Sequence, residues 1–339
     1  MVKFNEWNEA SGVIEISGKF YPTIGDLLKV VEKERIDRDY VDSKSGIFLI
    51  TSSTIKTSSN GNKYSEALAV DSSSKSRVKI WDVVKSGSLV FAHYEYNPTY
   101  HSFSLNPIKI VDAESVPDIT EKLIPRFEGI EALKKCLKYL VKSVKNEYLR
   151  KLLVLIFDEN TDFYRRFVES TAASRNHHVG RGGLLFHTIS VTKNALNLLA
   201  NYPSLDRDLI VTGCLIHDIG KVETYTFGPE YDYTNDGKLE NHIVIGIKML
   251  TRFIDKIPDF PKDLEMILTH VMASHHGTLE YGSPVVPKLP EAMLIHFADE
   301  MDARLNAAID ALKNVNEKNW SERVEILRTD LFKFKEEEN

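Results

Sequence analysis

Nine of the eleven histidines fall between His177 and His296, and six of them punctuate one pattern with two aspartates. His187 comes first, then the pair His217-Asp218, then His242, then the pair His275-His276, and last His296 with Asp299. Neutral imidazole and carboxylate are the ligands that a borderline divalent cation prefers. Two cations sharing a bridging carboxylate would use about seven such groups. Lys221 stands three residues after Asp218. Its ammonium is either a partner for a helix C-terminus or is aimed at a phosphate.

The elements that must carry these residues are helices. Gly182-Gly183 precedes an apolar-periodic run through Leu199, which puts His187 in its first turn. Asp206 caps a second helix that runs to Ile219, with Gly220 placed to end it in the left-handed region. His217 and Asp218 then sit in its last turn, where the helix dipole opposes a carboxylate and a divalent cation removes the objection. His242 opens an apolar helix, Ile243 to Phe253. His275-His276-Gly277 ends a helix that starts near Lys262, and His296 and Asp299 share a face of a long helix from Glu291 to Leu312. Asp299 and Asp302 have a structural alternative in Arg304, as has Glu300. His270 lies five residues before His275 and points away from it, as a core or supporting residue. Taken singly, each histidine has a structural explanation. Taken together, four helices presenting His or Asp at an end or on an apolar face point to a metal centre.

The rest of the chain bounds the setting. A length of 339 residues suits two domains, and a net charge of −6 gives no global nucleic-acid signature. The two cysteines, Cys136 and Cys214, form no CxxC motif, so neither a disulfide framework nor a thiolate zinc knuckle organises the fold. With no secretory leader pattern and no run of eighteen apolar residues, the expectation is a cytoplasmic protein without a membrane partner. Before the helices the texture is β. Val13 to Ile16 reads as a short strand and Thr23 to Arg35 as an amphipathic helix. Five short strands follow between Gly46 and Asp112, with an Asn60-Gly61 turn signal and a hairpin across Asn97-Pro98. That count suits a small OB-like barrel. Six cations against three carboxylates between residues 56 and 85 make it locally basic. Phe91, Tyr94, Tyr96, Tyr100 and Phe103 on the last hairpin are either base-stacking rings or barrel core.

His187…His217-Asp218…Asp299 resembles the HD phosphohydrolase signature. His217 to Lys221 with His242 and His275-His276 is similar to its two-metal branch, which includes the HD-GYP phosphodiesterases, although the GYP extension is missing. Wider context is similar to the YhaM family of bacterial 3′–5′ exoribonucleases: Asn176-His177-His178, Gly183-Leu184, Tyr202 to Leu205, Tyr233-Thr234, Ser274 to Gly277, Glu280 to Pro284, and Asp299 with Asp302-Ala303 and Asn306. The similarity covers roughly residues 45–325 and departs in the loop 178–182. It implies a multidomain chain: an all-β OB-like barrel at 46–114 after an unassigned extension 1–45, a helical connector at 115–165, an all-α HD-domain helical bundle at 166–325 and a charged tail at 326–339.

The activity so implied is metal-dependent 3′–5′ hydrolysis of single-stranded RNA, and of single-stranded DNA as a second substrate. By motif position His187, His217, Asp218 and Asp299 hold one metal, and Asp218 bridges to a second held by His242, His275 and His276. The family suggests manganese, and imidazole-rich sites also accept iron, cobalt, nickel or zinc. Asp218 and Lys221 are the catalytic pair, with Lys221 on a phosphate oxygen. His177, His178, Arg181 and Tyr281 are substrate-binding candidates, and Lys63, Lys79, Tyr94 and Tyr96 are the nucleic-acid contacts of the barrel. Tyr225 either stacks on a base or packs. The family also suggests a homo-oligomer. Competing readings are an HD-type nucleotide phosphohydrolase, a cyclic-phosphate phosphodiesterase, and a non-catalytic nucleic-acid-binding protein.

Overall fold

The structure, a computed structural model, describes residues 4–8, 13–16, 19–21, 44–71, 75–97, 102–116, 120, 123–124, 127, 129–172, 180–226, 233–312, 315 and 319–334. The chain divides into two compact units with the boundary at residues 126 and 127.

The first unit begins with a three-stranded antiparallel sheet of β1 (Phe4–Asn8), β2 (Val13–Ile16) and β3 (Lys19–Tyr21). β2 is the strand expected from Val13 to Ile16, whereas the helix expected over Thr23 to Arg35 lies outside the described residues. Five longer strands follow: β4 (Lys44–Thr57), β5 (Lys63–Val70), β6 (Lys75–Ile80), β7 (Ser88–Asn97) and β8 (Ser102–Asp112). They close into an OB-like barrel in the order β4-β5-β6-β8-β7, with β6 and β8 parallel and the other pairs antiparallel. Alternation fills its interior with Phe48, Ile50, Ala67, Ala69, Val78, Ile80, Val90, Ala92, Tyr94, Phe103 and Leu105. The Asn60-Gly61 signal becomes the β4–β5 turn, where Gly61 takes φ +82° and Ser58 N–H donates to Asn62 O at 2.8 Å.

The second unit is helical: α1 (Ile130–Ser143), α2 (Glu147–Ile156), α3 (Asp162–Glu169), α4 (Gly183–Leu199), α5 (Arg207–Ile216), the single turn α6 (Lys221–Thr224), α7 (Asn235–Ile254), α8 (Lys262–Ser274) and α9 (Pro290–Leu312). One apolar core joins Leu137, Leu152 and Phe167 of the first three helices to Leu185, Leu215, Leu250 and Leu268 of the later ones. The segment that reads as a connector in the sequence thus supplies core helices to the bundle. A second cluster packs Ile295 and Ala298 of α9 on Val191, Ala195, Ile210, Cys214 and Val271. Each buried valine, leucine, isoleucine or phenylalanine here contributes about 1.5–3 kcal/mol by leaving water.

α5 is buried from Leu209 to Ile216, so its C-terminal end is fixed deep in the unit. Its first turn is held by Asp206, whose carboxylate accepts from Leu209 N–H at 3.0 Å. Asp208 accepts from the backbone N–H groups of Lys145 and Asn146, both at 2.7 Å, and ties the α1–α2 turn to α5. Near the end of the chain β9 (Asn319–Trp320) pairs with β10 (Phe332–Lys333). Phe332 and Lys333, within the charged tail expected from residue 326, are thus held in a strand pair. Among the described residues no helix is long and apolar enough to cross a membrane.

Candidate metal centre

The structure brings seven of the sequence-predicted residues together inside the helical unit. His187 is one turn into α4, which the αL conformation of Gly182 (φ +82°) launches. Its Nε2 lies 3.1 Å from Asp299 Oδ1 and 3.3 Å from Asp218 Oδ2. Its Nδ1 lies 2.7 Å from Asp302 Oδ2. His217 caps the C-terminal end of α5, with Nε2 3.3 Å from both His187 Nε2 and Asp218 Oδ2. On the other side Asp218 Oδ1 lies 3.4 Å from His242 Nε2 and 3.6 Å from His275 Nε2. The His275 and His276 rings are in edge contact, 4.3 Å between centroids. The ligand atoms thus form two groups, His187 with His217 and Asp218, and His242 with His275 and His276, each within 4.8 Å of one another.

Backbone geometry fixes the tautomers. Nδ1 of His217, His275 and His276 faces the carbonyls of Cys214, Met272 and Tyr281, each at 2.7 Å. A carbonyl only accepts, so each Nδ1 carries the proton and each Nε2 turns a lone pair inward. Asp302 plays the same part for His187 and is itself held by Ser190 Oγ and by Asn306 Nδ2. This outer layer of carbonyls and carboxylate is what a metal-binding imidazole uses to fix its orientation.

Among the described residues Asp218 Oδ1, His242 Nε2 and His275 Nε2 are buried without a hydrogen bond. Leaving buried polar groups so costs about 1–3 kcal/mol each. Divalent cations would satisfy all of these atoms, so the residues fit the metal that the sequence predicts. Burial holds His242 well below the ordinary imidazole pKa and takes His276 to about 4, which keeps both in the neutral, ligating form. Burial also opposes charge on His187, but the carboxylates of Asp218, Asp299 and Asp302 outweigh it and hold its pKa well above the ordinary value. For Asp218, burial is outweighed by Lys221, His217 and His187, so its carboxyl stays well below the usual range.

Lys221 opens α6 and places Nζ 2.6 Å from Asp218 Oδ2, so its ammonium reaches the centre. Gly220 departs from expectation. It is right-handed (φ −63°, ψ −20°) and is no left-handed cap. Its lack of a side chain is needed because a Cβ there would lie 2.0 Å from His242 O and 2.6 Å from Gly246 N. Gly220 therefore lets α7 approach closely enough to deliver His242. α7 is broken just before that histidine by Asn241, at φ 65° and ψ 154°, a conformation that costs any residue with a side chain backbone strain and is otherwise almost confined to glycine.

Other expectations fall away from the centre. His296 donates through Nδ1 to His275 O at 2.8 Å, and its ring lies where a Cβ on Gly277 would be, so it braces the turn after α8. His270 accepts from Lys288 N–H at 2.9 Å, outside the ligand set. Arg181 pairs with Glu169 at 3.5 Å, its side chain mostly buried. Tyr281 is half-exposed, supports His276 through its carbonyl and meets Arg304 at 3.3 Å through its hydroxyl. Arg304 pairs with Glu300 at 2.8 Å, which leaves Asp302 to His187. Tyr225 is buried against Tyr233, 5.0 Å between rings, so it packs. His177 and His178 lie outside the described residues.

In the barrel, Lys63 is exposed and Lys79 half-exposed. Tyr94 must be corrected: it is buried in the barrel core, edge-on to Phe48, because it shares strand parity with Val90 and Ala92. Its ring is not presented to a base. The side chain of Tyr96 and the whole of Tyr100 lie outside the described residues. Trp81, exposed, and Tyr64, half-buried, both absent from the sequence-based contact set, form an aromatic pair beside Lys79. The signal was the outward parity of residues 77, 79 and 81, opposite the apolar Val78 and Ile80.

Residues 184–304 match the HD domain family, so the helical unit contains an HD domain and the chain is an HD-domain protein carrying an N-terminal barrel. It is 30% identical over 307 residues to the 3′-5′ exoribonuclease YhaM of Listeria monocytogenes serotype 4b (strain CLIP80459), covering 87% of this chain and 96% of that protein. It is 29% identical over 297 residues to the 3′-5′ exoribonuclease YhaM of Bacillus subtilis (strain 168), covering 84% and 92%. The chain belongs to the YhaM family of 3′-5′ exoribonucleases. No solved structure matches it.

Proposed function

We propose that this chain is a metal-dependent hydrolase that removes nucleotides from the 3′ end of single-stranded RNA, and of single-stranded DNA as a second substrate. The observation that carries the reading is the convergence of inward Nε2 lone pairs on the two oxygens of Asp218. His187, His217, Asp218 and Asp299 would hold one ion, and Asp218, His242, His275 and His276 a second. Such ions polarise a phosphodiester and lower the pKa of a bound water. Manganese is the metal we favour, and the same imidazoles suit iron, cobalt, nickel and zinc. Lys221 holds Asp218 ionised and turned toward the histidines, and its remaining N–H donors can meet a non-bridging phosphate oxygen. The barrel favours a polymer over a mononucleotide.

The test incubates pure protein and Asp218→Ala with 3′- and 5′-labelled single strands of RNA and DNA, with and without Mn²⁺. Metal-dependent shortening from the 3′ end, lost in the variant, is expected. Cleavage of mononucleotides or cyclic phosphates alone would replace this reading with the nucleotide-hydrolase or cyclic-phosphodiesterase one. Binding without any cleavage would leave a non-catalytic binding protein. Metal analysis of the loaded protein tests the stoichiometry, and one ion per chain would overturn the paired assignment.

A further inference from the structure

The outer face of β4, β5 and β6 carries a cluster that the metal centre does not use. In register, Lys56 pairs with Tyr64, Glu66 pairs with Lys79, and Ser65 pairs with Ile80, which sets Trp81 opposite Tyr64. Lys56, Tyr64, Glu66, Lys79 and Trp81 lie on the outward parity because Ser65, Ala67, Val78 and Ile80 are buried on the inward one. Trp81 is 49% exposed. Its ring lies 5.6 Å from that of Tyr64, and Lys79 Nζ sits over both, 5.1 Å from Tyr64 and 5.3 Å from Trp81. The carboxylate on this face, Glu66, is taken up by Lys56 at 2.8 Å. Arg77 adds a further exposed cation two residues before Lys79. The face thus combines fixed aromatic rings with a surplus of positive charge.

We propose that Trp81 and Tyr64, with Lys79 between them, form a platform on which unpaired bases of a single-stranded RNA stack. Lys79 would meet the backbone phosphate beside a stacked base. The cation–π contacts hold its ammonium in place over the rings, so little ordering remains to be done when the strand arrives. A π-face recognises any base, so the platform grips the strand without reading sequence. It is also the strand 2–3 face that OB folds offer to oligonucleotides. The inference rests on the reading of the chain as a single-strand nuclease and adds the place where the strand is held.

The test measures binding of a fluorescein-labelled oligouridylate to the full chain by anisotropy, in EDTA so that nothing is cut. Trp81→Ala and Tyr64→Ala should each weaken binding roughly 5- to 150-fold, and Trp81→Phe should recover most of the loss. Lys79→Met should lower the slope of log affinity against log salt by about 0.7. Binding by both alanine variants within twofold of the wild type, while the wild type still shortens RNA in Mn²⁺, overturns this inference alone. A loss of the same size on duplex RNA, whose base faces are already stacked, overturns it too. A wild type that neither binds nor shortens the strand overturns the proposed function with it.

Discussion

Asp302 shows how far a single residue could be read in advance. Its place three residues after Asp299 was plain in the sequence, but Arg304 offered an equally good partner. The choice is made by a contact across 115 residues, His187 Nδ1 to Asp302 Oδ2 at 2.7 Å, which local spacing does not encode. Asp302→Asn should weaken metal affinity about 10- to 100-fold, measured by calorimetric titration of the chelated protein. Lys221→Met should lower kcat about 100-fold while metal content stays close to that of the wild type, measured by single-turnover cleavage alongside metal analysis. The residues that come together were legible as candidates because few residue types can bind a borderline cation and their clustering in one half of the chain is improbable otherwise. Tyr94 was misread because an aromatic looks alike on either face of a strand. The polar residues His93 and Glu95 on the opposite parity held the answer.

At the scale of elements, helix positions were well marked by periodicity and caps, and the reasons for their close approach were not. A glycine after an apolar helix suggests a left-handed cap, and Gly220 satisfies the same sequence rule for a different cause. The constraint comes from α7, whose His242 carbonyl lies where a Cβ would be. Gly220→Ala should cost about 1–3 kcal/mol and lower the melting temperature by several degrees, and it should also loosen His242. Thermal melts with and without Mn²⁺ check this: the stabilisation gained from metal should shrink in the variant. The barrel strands were legible from alternation and the Asn-Gly turn. The helices α1 and α2 looked like a connector because nothing local shows that Leu137 and Leu152 share a core with residues far along the chain.

At the scale of the molecule, barrel and bundle have separate cores, and every proposed metal ligand belongs to the bundle. Chelation should therefore lower the bundle's unfolding temperature and leave the barrel's unchanged. At free metal one hundred times the dissociation constant the bound ion stabilises by about 2.7 kcal/mol. Differential scanning calorimetry across a metal titration should show one transition that moves and one that stays. Asp218 gives the loading itself a particular character. One of its oxygens faces His187 and His217 and the other faces His242 and His275, so one side-chain torsion serves both halves of the centre. An ion that locks this torsion from one side has already aligned the oxygen needed on the other. Filling should then be cooperative, with a steep binding isotherm and few half-filled molecules.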